Sequence, residues 1–394
     1  MASSVAVRPR RSLLEDLVGG REEETAHGPL LVARRAYRLH HRHGELALEA
    51  ALEASPEVLR LLSRGSGEAP RRLLYLDTET TGLAGGTGTY AFLVGVGFFE
   101  ADRFVLVQHF MRDLDEEPAL LCALHALLAD FDGVVTYNGR GFDLPLLETR
   151  FVLARRPWPD HLCQLDLLIS ARRLWAGWLP DCRLPTVEAR VLGLDRVDDV
   201  PGALIPTLYF QYLRSRRPEA LGPVFEHNRL DVLSLVTLTG WVARALADPD
   251  RLRLAPEEYV GLGRLWEGAD EARGATYYRE ALARGLRPPH RERLLLRLAR
   301  RAKRQAEWPE ACALWEAAIG DGAGFDVRPW EELAKYYEHR GRDFAAAHRV
   351  AARALARAQA EGASGMARAA LAHRLARLAR RAGLSPGHSP RESS

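Results

Sequence analysis

Leu73-Leu-Tyr-Leu-Asp77-Thr-Glu79-Thr-Thr-Gly82 is the stretch on which the reading of this chain turns. An apolar run of strand length leads straight into two carboxylates two positions apart. Side chains alternate sides on an extended chain, so Asp77 and Glu79 face the same way and can reach one point. Such a pair alone is common and usually solvated, so its meaning depends on the elements around it. Residues 90–99 and 104–110 are predicted as two more strands, with Glu100-Ala-Asp-Arg103 as the turn, which gives three strands in antiparallel order. Leucines at helical spacing over 118–128 precede a fourth strand at 133–137. A strand–helix–strand crossover requires a parallel neighbour, so the expected sheet is mixed.

Two later segments carry acids at element ends. Asn138-Gly-Arg-Gly-Phe142-Asp143 directly follows the fourth strand, where the plain reading is a helix start. His227-Asn-Arg-Leu-Asp231 opens an apolar helix, and His and Asp four apart share one helix face. An Asp within so apolar a helix needs a partner or a cation, because burying a bare charge is costly.

The three segments together, in this order, resemble the DEDD exonuclease superfamily within the RNase H-like fold. More narrowly, residues 77–97, 136–147 and 226–235 resemble the bacterial YprB-type family of predicted exonucleases, over roughly residues 28–245. The resemblance implies an α/β RNase H-like domain with a mixed five-stranded sheet flanked by helices. It also implies a metal-dependent 3′–5′ exonuclease with Asp77, Glu79, Asp143 and Asp231 as metal ligands, Asp77 bridging. The cofactors would be two divalent metal ions, Mg²⁺ or Mn²⁺. Such hard cations take oxygen ligands, and a pair about 4 Å apart can bind both ends of a phosphodiester displacement. His227 would orient or deprotonate the attacking water, and Thr80, Thr81, Leu83 and Asn138 would contact substrate. His227 departs from both familiar subtypes: it lies four residues before Asp231, the spacing at which one subtype carries Tyr, whereas the histidine subtype places His five before. The competing reading of His227 is a helix-start residue that caps or contacts Glu226.

Other features are read more plainly. Gly85-Gly-Thr-Gly88 lacks a following Lys-Ser/Thr and a strand-to-helix setting, so it is read as a turn bordering the cleft rather than a nucleotide loop. Asp166 is either an accessory acid or a capping residue. His40-His-Arg-His43 is expected to be a solvated basic patch rather than a metal tract. Core packing is preferred over base stacking for Trp175 and Trp178.

The whole chain is 394 residues, 47% hydrophobic and 27% charged, which excludes disorder over most of its length and fits two or three domains. The expected division is an N-terminal arm and helical extension (1–70), an RNase H-like exonuclease domain (71–247) and a helical, basic domain (248–394). No apolar run approaches a membrane span, no secretory signal is read, and four widely spaced cysteines suit free thiols in a reducing cytoplasm. Net charge is +3, yet residues 1–250 carry −6 and residues 251–394 carry +9. All but two of the basic residues are Arg, a bias that genome composition can also produce.

In the last region Leu262-Gly-Arg-Leu, Leu298-Ala-Arg-Arg and Leu333-Ala-Lys-Tyr recur at intervals of 36 and 35 residues, each followed by a second amphipathic segment. This resembles TPR-like helical pairs, with a plain helical bundle as the alternative. Arg368, Arg374, Arg377, Arg380 and Arg381 cluster on its final helix, suited to phosphates or to an acidic protein partner. Nucleic acid, DNA or RNA with a single-stranded 3′ end, is the expected partner. The rival functions are a structure-selective endonuclease and a scaffold without catalysis.

Overall fold

The computed structural model describes residues 13–63, 67–82, 87–320 and 324–384. Leu83 and the first half of the Gly85–Gly88 turn expected at the cleft lie outside them. The described chain divides into two compact units, residues up to 254 with 264–269, and 255–263 with 270–394.

Strands in the first unit are β1 (Gly20–Thr25), β2 (Gly28–Arg38), the short pair β3 (Arg42–His43) and β4 (Leu46–Ala47), β5 (Leu73–Thr80), β6 (Ala91–Glu100), β7 (Arg103–Phe110), β8 (Gly133–Thr136) and β9 (Cys163–Asp166). Seven of them form one sheet in the order β1-β2-β7-β6-β5-β8-β9. β5, β8 and β9 run parallel, and the rest pair antiparallel. The mixed sheet agrees with the sequence reading; its size does not, since seven strands replace the expected five. The two additional strands are β1 and β2, from the segment read as an arm and helical extension. Residues 30–33 of β2 are all buried and β2 pairs along most of β7, so the arm is part of the sheet. After β4, the helical part of the extension expected within residues 1–70 is a 3₁₀ segment (Leu48–Glu53) and a short α-helix (Pro56–Ser63).

β6 lies at the centre of the sheet, and residues 91–98 are buried at every position, as a strand covered on both faces must be. Helix Gly222–Ala247 crosses it at Gly95 and Gly97. A Cβ on Gly95 would stand 2.1 Å from Asn228 Oδ1, and one on Gly97 2.8 Å from Val232 Cγ1. Bare backbone at both positions therefore lets the helix settle onto the strand. Gly95 is also the register partner of Asp77 on β5, so the close approach delivers residues 227–231 to the acids of β5. The register shifts between Glu79 and Thr80, which ends regular pairing at the site.

The second unit is helical: the opening turns of Pro256–Trp266, then Glu271–Ala283, His290–Arg304, Trp308–Gly320, Val327–His339, Phe344–Ala360 and Gly365–Arg381. The recurring Leu262, Leu298 and Leu333 are each buried, as are Ala281, Ala311, Ala347 and Ala354 on the second helices. Among the described residues, only the segment Glu219–Ala247 is long and apolar enough to cross a membrane, and most of it is buried within the first unit.

Candidate active site

Three elements supply the acids. β5 brings Asp77 and Glu79, the first turn of helix Asp143–Leu153 brings Asp143, and helix Gly222–Ala247 brings Asp231. Asp143 follows β8, the parallel neighbour of β5, so the crossover places it beside the β5 acids. The N-terminal end of its helix also favours a negative charge there. Glu79 and Asp143 are buried, and Asp77 is partly exposed.

Their charges act on one another. Desolvation, then the charges of Asp231 and Asp143, raise the Asp77 carboxyl well above the usual carboxylate range. Glu79 is raised in the same way, by burial first and then by Asp77, Asp231, Asp143 and Asp199. Burial pushes Asp143 up to about 6 against the opposing hydrogen bond of Thr78. Like charges held close inside protein disfavour ionisation, and such shifts gather where charge has a task.

Neutral groups hold Asp77 and Asp143 in place. Asn228 Nδ2 donates to Asp77 Oδ2 at 2.8 Å and to the Asp77 carbonyl at 3.2 Å. Gln108 Nε2 in turn donates to Asn228 Oδ1 at 2.9 Å and to the Phe225 carbonyl at 2.8 Å. Thr78 Oγ1 donates to Asp143 Oδ1 at 2.5 Å.

Asp231 sits in a different setting. Arg196 Nη2 donates to Asp231 Oδ1, while the same guanidinium takes Glu188 through Nε at 2.8 Å and Nη2 at 2.5 Å, and Asp199 through Nη1 at 3.0 Å. Burial opposes the charge on Arg196, but Asp231 and Glu188 hold it more firmly protonated than usual. His227 joins the same cluster. Its Nδ1 lies 2.9 Å from both Asp199 oxygens, and its Nε2 lies 3.9 Å from Asp231 Oδ2. Burial would raise Asp199, yet the contacts of His227 and Arg196 outweigh it and hold that carboxyl low. His227 is thus turned toward Asp199, while Glu226 pairs with Arg229.

A further chain of contacts runs inward. Ser234 Oγ donates to Glu188 and therefore accepts from His43 Nε2, at 2.7 Å. Burial pushes His43 down to about 3, so it is a neutral, buried donor rather than part of the expected solvated basic patch.

The remaining candidates support the turns around the acids. Thr80 Oγ1 donates to the Gly82 carbonyl at 2.8 Å, and Thr81 Oγ1 accepts from the Tyr90 amide at 2.9 Å, so both hydroxyls brace the turn after β5. Asn138 is exposed at φ 67°, and its amide donates to Asp166 Oδ1 at 2.8 Å. Asp166 accepts from Arg140 and Leu168 amides as well, which makes it the cap of helix Leu167–Trp175 and the brace of the Asn138 turn. Trp175 is buried against Trp241, as core packing requires, whereas Trp178 is exposed and does not pack in the core.

The donor set is all oxygen, which suits Mg²⁺ or Mn²⁺. Its spacing suits them less well. As the side chains stand, no group of three or more His, Cys, Asp or Glu among the described residues is arranged to hold a metal ion, and Asp231 is engaged by Arg196. Asp77, Glu79 and Asp143, which form no ion pair among the described residues, are the acids left to hold a cation.

Residues 74–243 match the family model of the RNase H superfamily. That superfamily supports a nuclease-type function and, with it, nucleic-acid binding. Over 334 residues, 82% of this chain and 80% of the relative, the sequence is 33% identical to the uncharacterized protein YprB of Bacillus subtilis (strain 168). The chain belongs to the YprB family. A looser likeness links it to the family B DNA polymerase of the archaeon Pyrobaculum calidifontis, with a TM-score of 0.36 and 17% identity. It covers 60% of this chain and 30% of the polymerase.

Proposed function

We propose that this chain hydrolyses phosphodiester bonds of nucleic acid as a metal-dependent 3′–5′ exonuclease, releasing nucleoside 5′-monophosphates. What supports this reading is that Asp77 and Glu79 of one element and Asp143 of another are all raised, by burial first and then by the charges of neighbouring acids, with Asp231 of a third element acting on each of them. No folding requirement asks for buried carboxylates without cations, whereas a site for a divalent ion and a phosphate does.

A divalent ion bound there would offset charge on the phosphate and ease ionisation of water near neutral pH. The chain's own part comes from its contacts. Asn228 and Thr78 fix the orientation of Asp77 and Asp143. Asp199 accepts from Nδ1 of His227, which leaves Nε2 to take the proton of the attacking water, the arrangement in which a carboxylate orients an imidazole base. Thr80 and Thr81 stiffen the turn beside which the terminal nucleotide would lie.

The substrate proposed is DNA or RNA with a single-stranded 3′ end, and the compartment is the cytoplasm, in keeping with four free cysteines. The test is direct: protein with Mn²⁺ or Mg²⁺ and end-labelled single-stranded DNA and RNA, beside Asp77→Ala. A ladder that the variant fails to make is expected. Absence of cleavage in both would sink the proposal, and cutting of a circular substrate would redirect it to an endonuclease.

A further inference from the structure

We propose that Arg196 is a resident cation of the acidic cleft, holding Asp231 where a second metal ion would otherwise bind, so that the centre takes one divalent ion. The inference rests on the nuclease reading of the cleft and replaces its pair of ions with one ion and one guanidinium.

The geometry of Arg196 is that of a built-in group. Its Nε and Nη2 take both oxygens of Glu188, whose side chain is fully buried, while Nη2 also reaches Asp231 and Nη1 reaches Asp199. The Arg196 side chain is itself only 7% exposed. A guanidinium stays charged at any working pH and matches carboxylates in a planar, two-point geometry. Withdrawing it would leave Glu188 charged and buried with no cation, a strongly unfavourable state. Arg196 is therefore fixed in the cleft by Glu188 whether or not a metal arrives.

Asp231 is correspondingly committed. One oxygen accepts from Arg196 and the other lies on the side of His227 Nε2. Among the described residues, the side chains of Asp77, Glu79 and Asp143 have as partners only the Asn228 amide and the Thr78 hydroxyl. Three unmatched carboxylates suit one doubly charged ion, and the fourth already has its positive partner. A fixed guanidinium can stabilise charge developing on a phosphate much as a second ion would, without generating hydroxide.

Counting bound Mn²⁺ by the electron paramagnetic resonance of the free ion, with full-length protein and no nucleic acid, tests this apart from activity. One ion per chain is expected in the wild type and none in Asp77→Asn. Asp231→Asn keeps its single ion, with an apparent Kd altered by less than the roughly 10-fold that partners of a metal ligand typically cost. Arg196→Gln, where circular dichroism shows it folded, gains a second ion; should it not fold, Asp231→Asn decides. Two ions in the wild type with one lost in Asp231→Asn would overturn the inference, as would no bound ion. One ion bound without cleavage of any nucleic acid would instead overturn the nuclease reading and leave the count standing.

Discussion

Two buried acids in different units of this chain are treated in opposite ways. In the helical unit Glu338 is buried and receives Arg377 at 2.8 Å and Arg381 at 2.9 Å, which hold its carboxyl below the usual range. In the first unit Glu79 is also buried, meets no cation among the described residues, and is raised by that burial and then by the acids around it. Protein folds readily supply a partner to a carboxylate whose task is structural. A cleft that gathers carboxylates and withholds partners keeps an unfavourable arrangement that a proton or a bound cation relieves. The same contrast reassigns part of the basic final helix. Arg377 and Arg381 fasten that helix to Glu338, whereas Arg368 and Arg380 remain at the surface and open to phosphate.

The comparison breaks most visibly on activity. Asp77→Ala is expected to lose about 10⁴-fold or more in turnover on end-labelled oligonucleotide, as removal of a central catalytic group does. His227→Ala is expected to lower kcat by about 10²–10⁴-fold if it serves as the base. Asp199→Asn, which disturbs the orientation of the ring and also one contact of Arg196, should cost about 10–100-fold; an unchanged rate in both would remove the imidazole from the mechanism. Gly95→Ala forces a methyl against Asn228 and should lose about 1–3 kcal/mol of stability by urea titration, together with turnover.

Acid and neutral pH then sharpen the contrast without any nucleic acid. Asp143 ionises near pH 6 when folded and near its ordinary, lower value when unfolded. Between those values the folded state binds the extra proton, so this group's contribution to stability falls as pH rises and is fully lost above about 6. Metal-free Asp143→Asn should therefore melt higher than wild type at pH 7 and alike at pH 4. Glu338→Gln should act with the opposite sign, losing about 1 kcal/mol at pH 7 because its arginines are half exposed. Its cleavage of a short oligonucleotide should match wild type. Equal signs for the two substitutions would dissolve the distinction between matched and unmatched acids.

Much of this is legible in the sequence, for physical reasons. Strands β5 to β8 stand out as apolar runs bounded by turns, and three of the four acids sit at element ends where period and turn signals are strongest. β2 escapes such a reading because only its first half is buried, so it shows neither clean alternation nor a continuous apolar run. β9 is four residues long, with only two of them buried. Glu188, Arg196 and Asp199 lie in an irregular stretch around a π-helical turn (Glu188–Leu192), and their partners are as much as 46 residues away. No periodicity marks an ion pair of that kind. His43 reads as part of an exposed basic tract because the two-residue strand that turns it inward carries no pattern.

The β1–β2 hairpin has a practical corollary for anyone cutting this chain into pieces. A fragment begun at residue 71, where the composition changes, would strip β2 from β7 and lay bare a long row of unpaired amides and carbonyls on an apolar strand. Raw edges of that sort recruit other chains. Aggregation of such a truncate would reflect where the scissors fell, and starting before β1 should restore a well-behaved product.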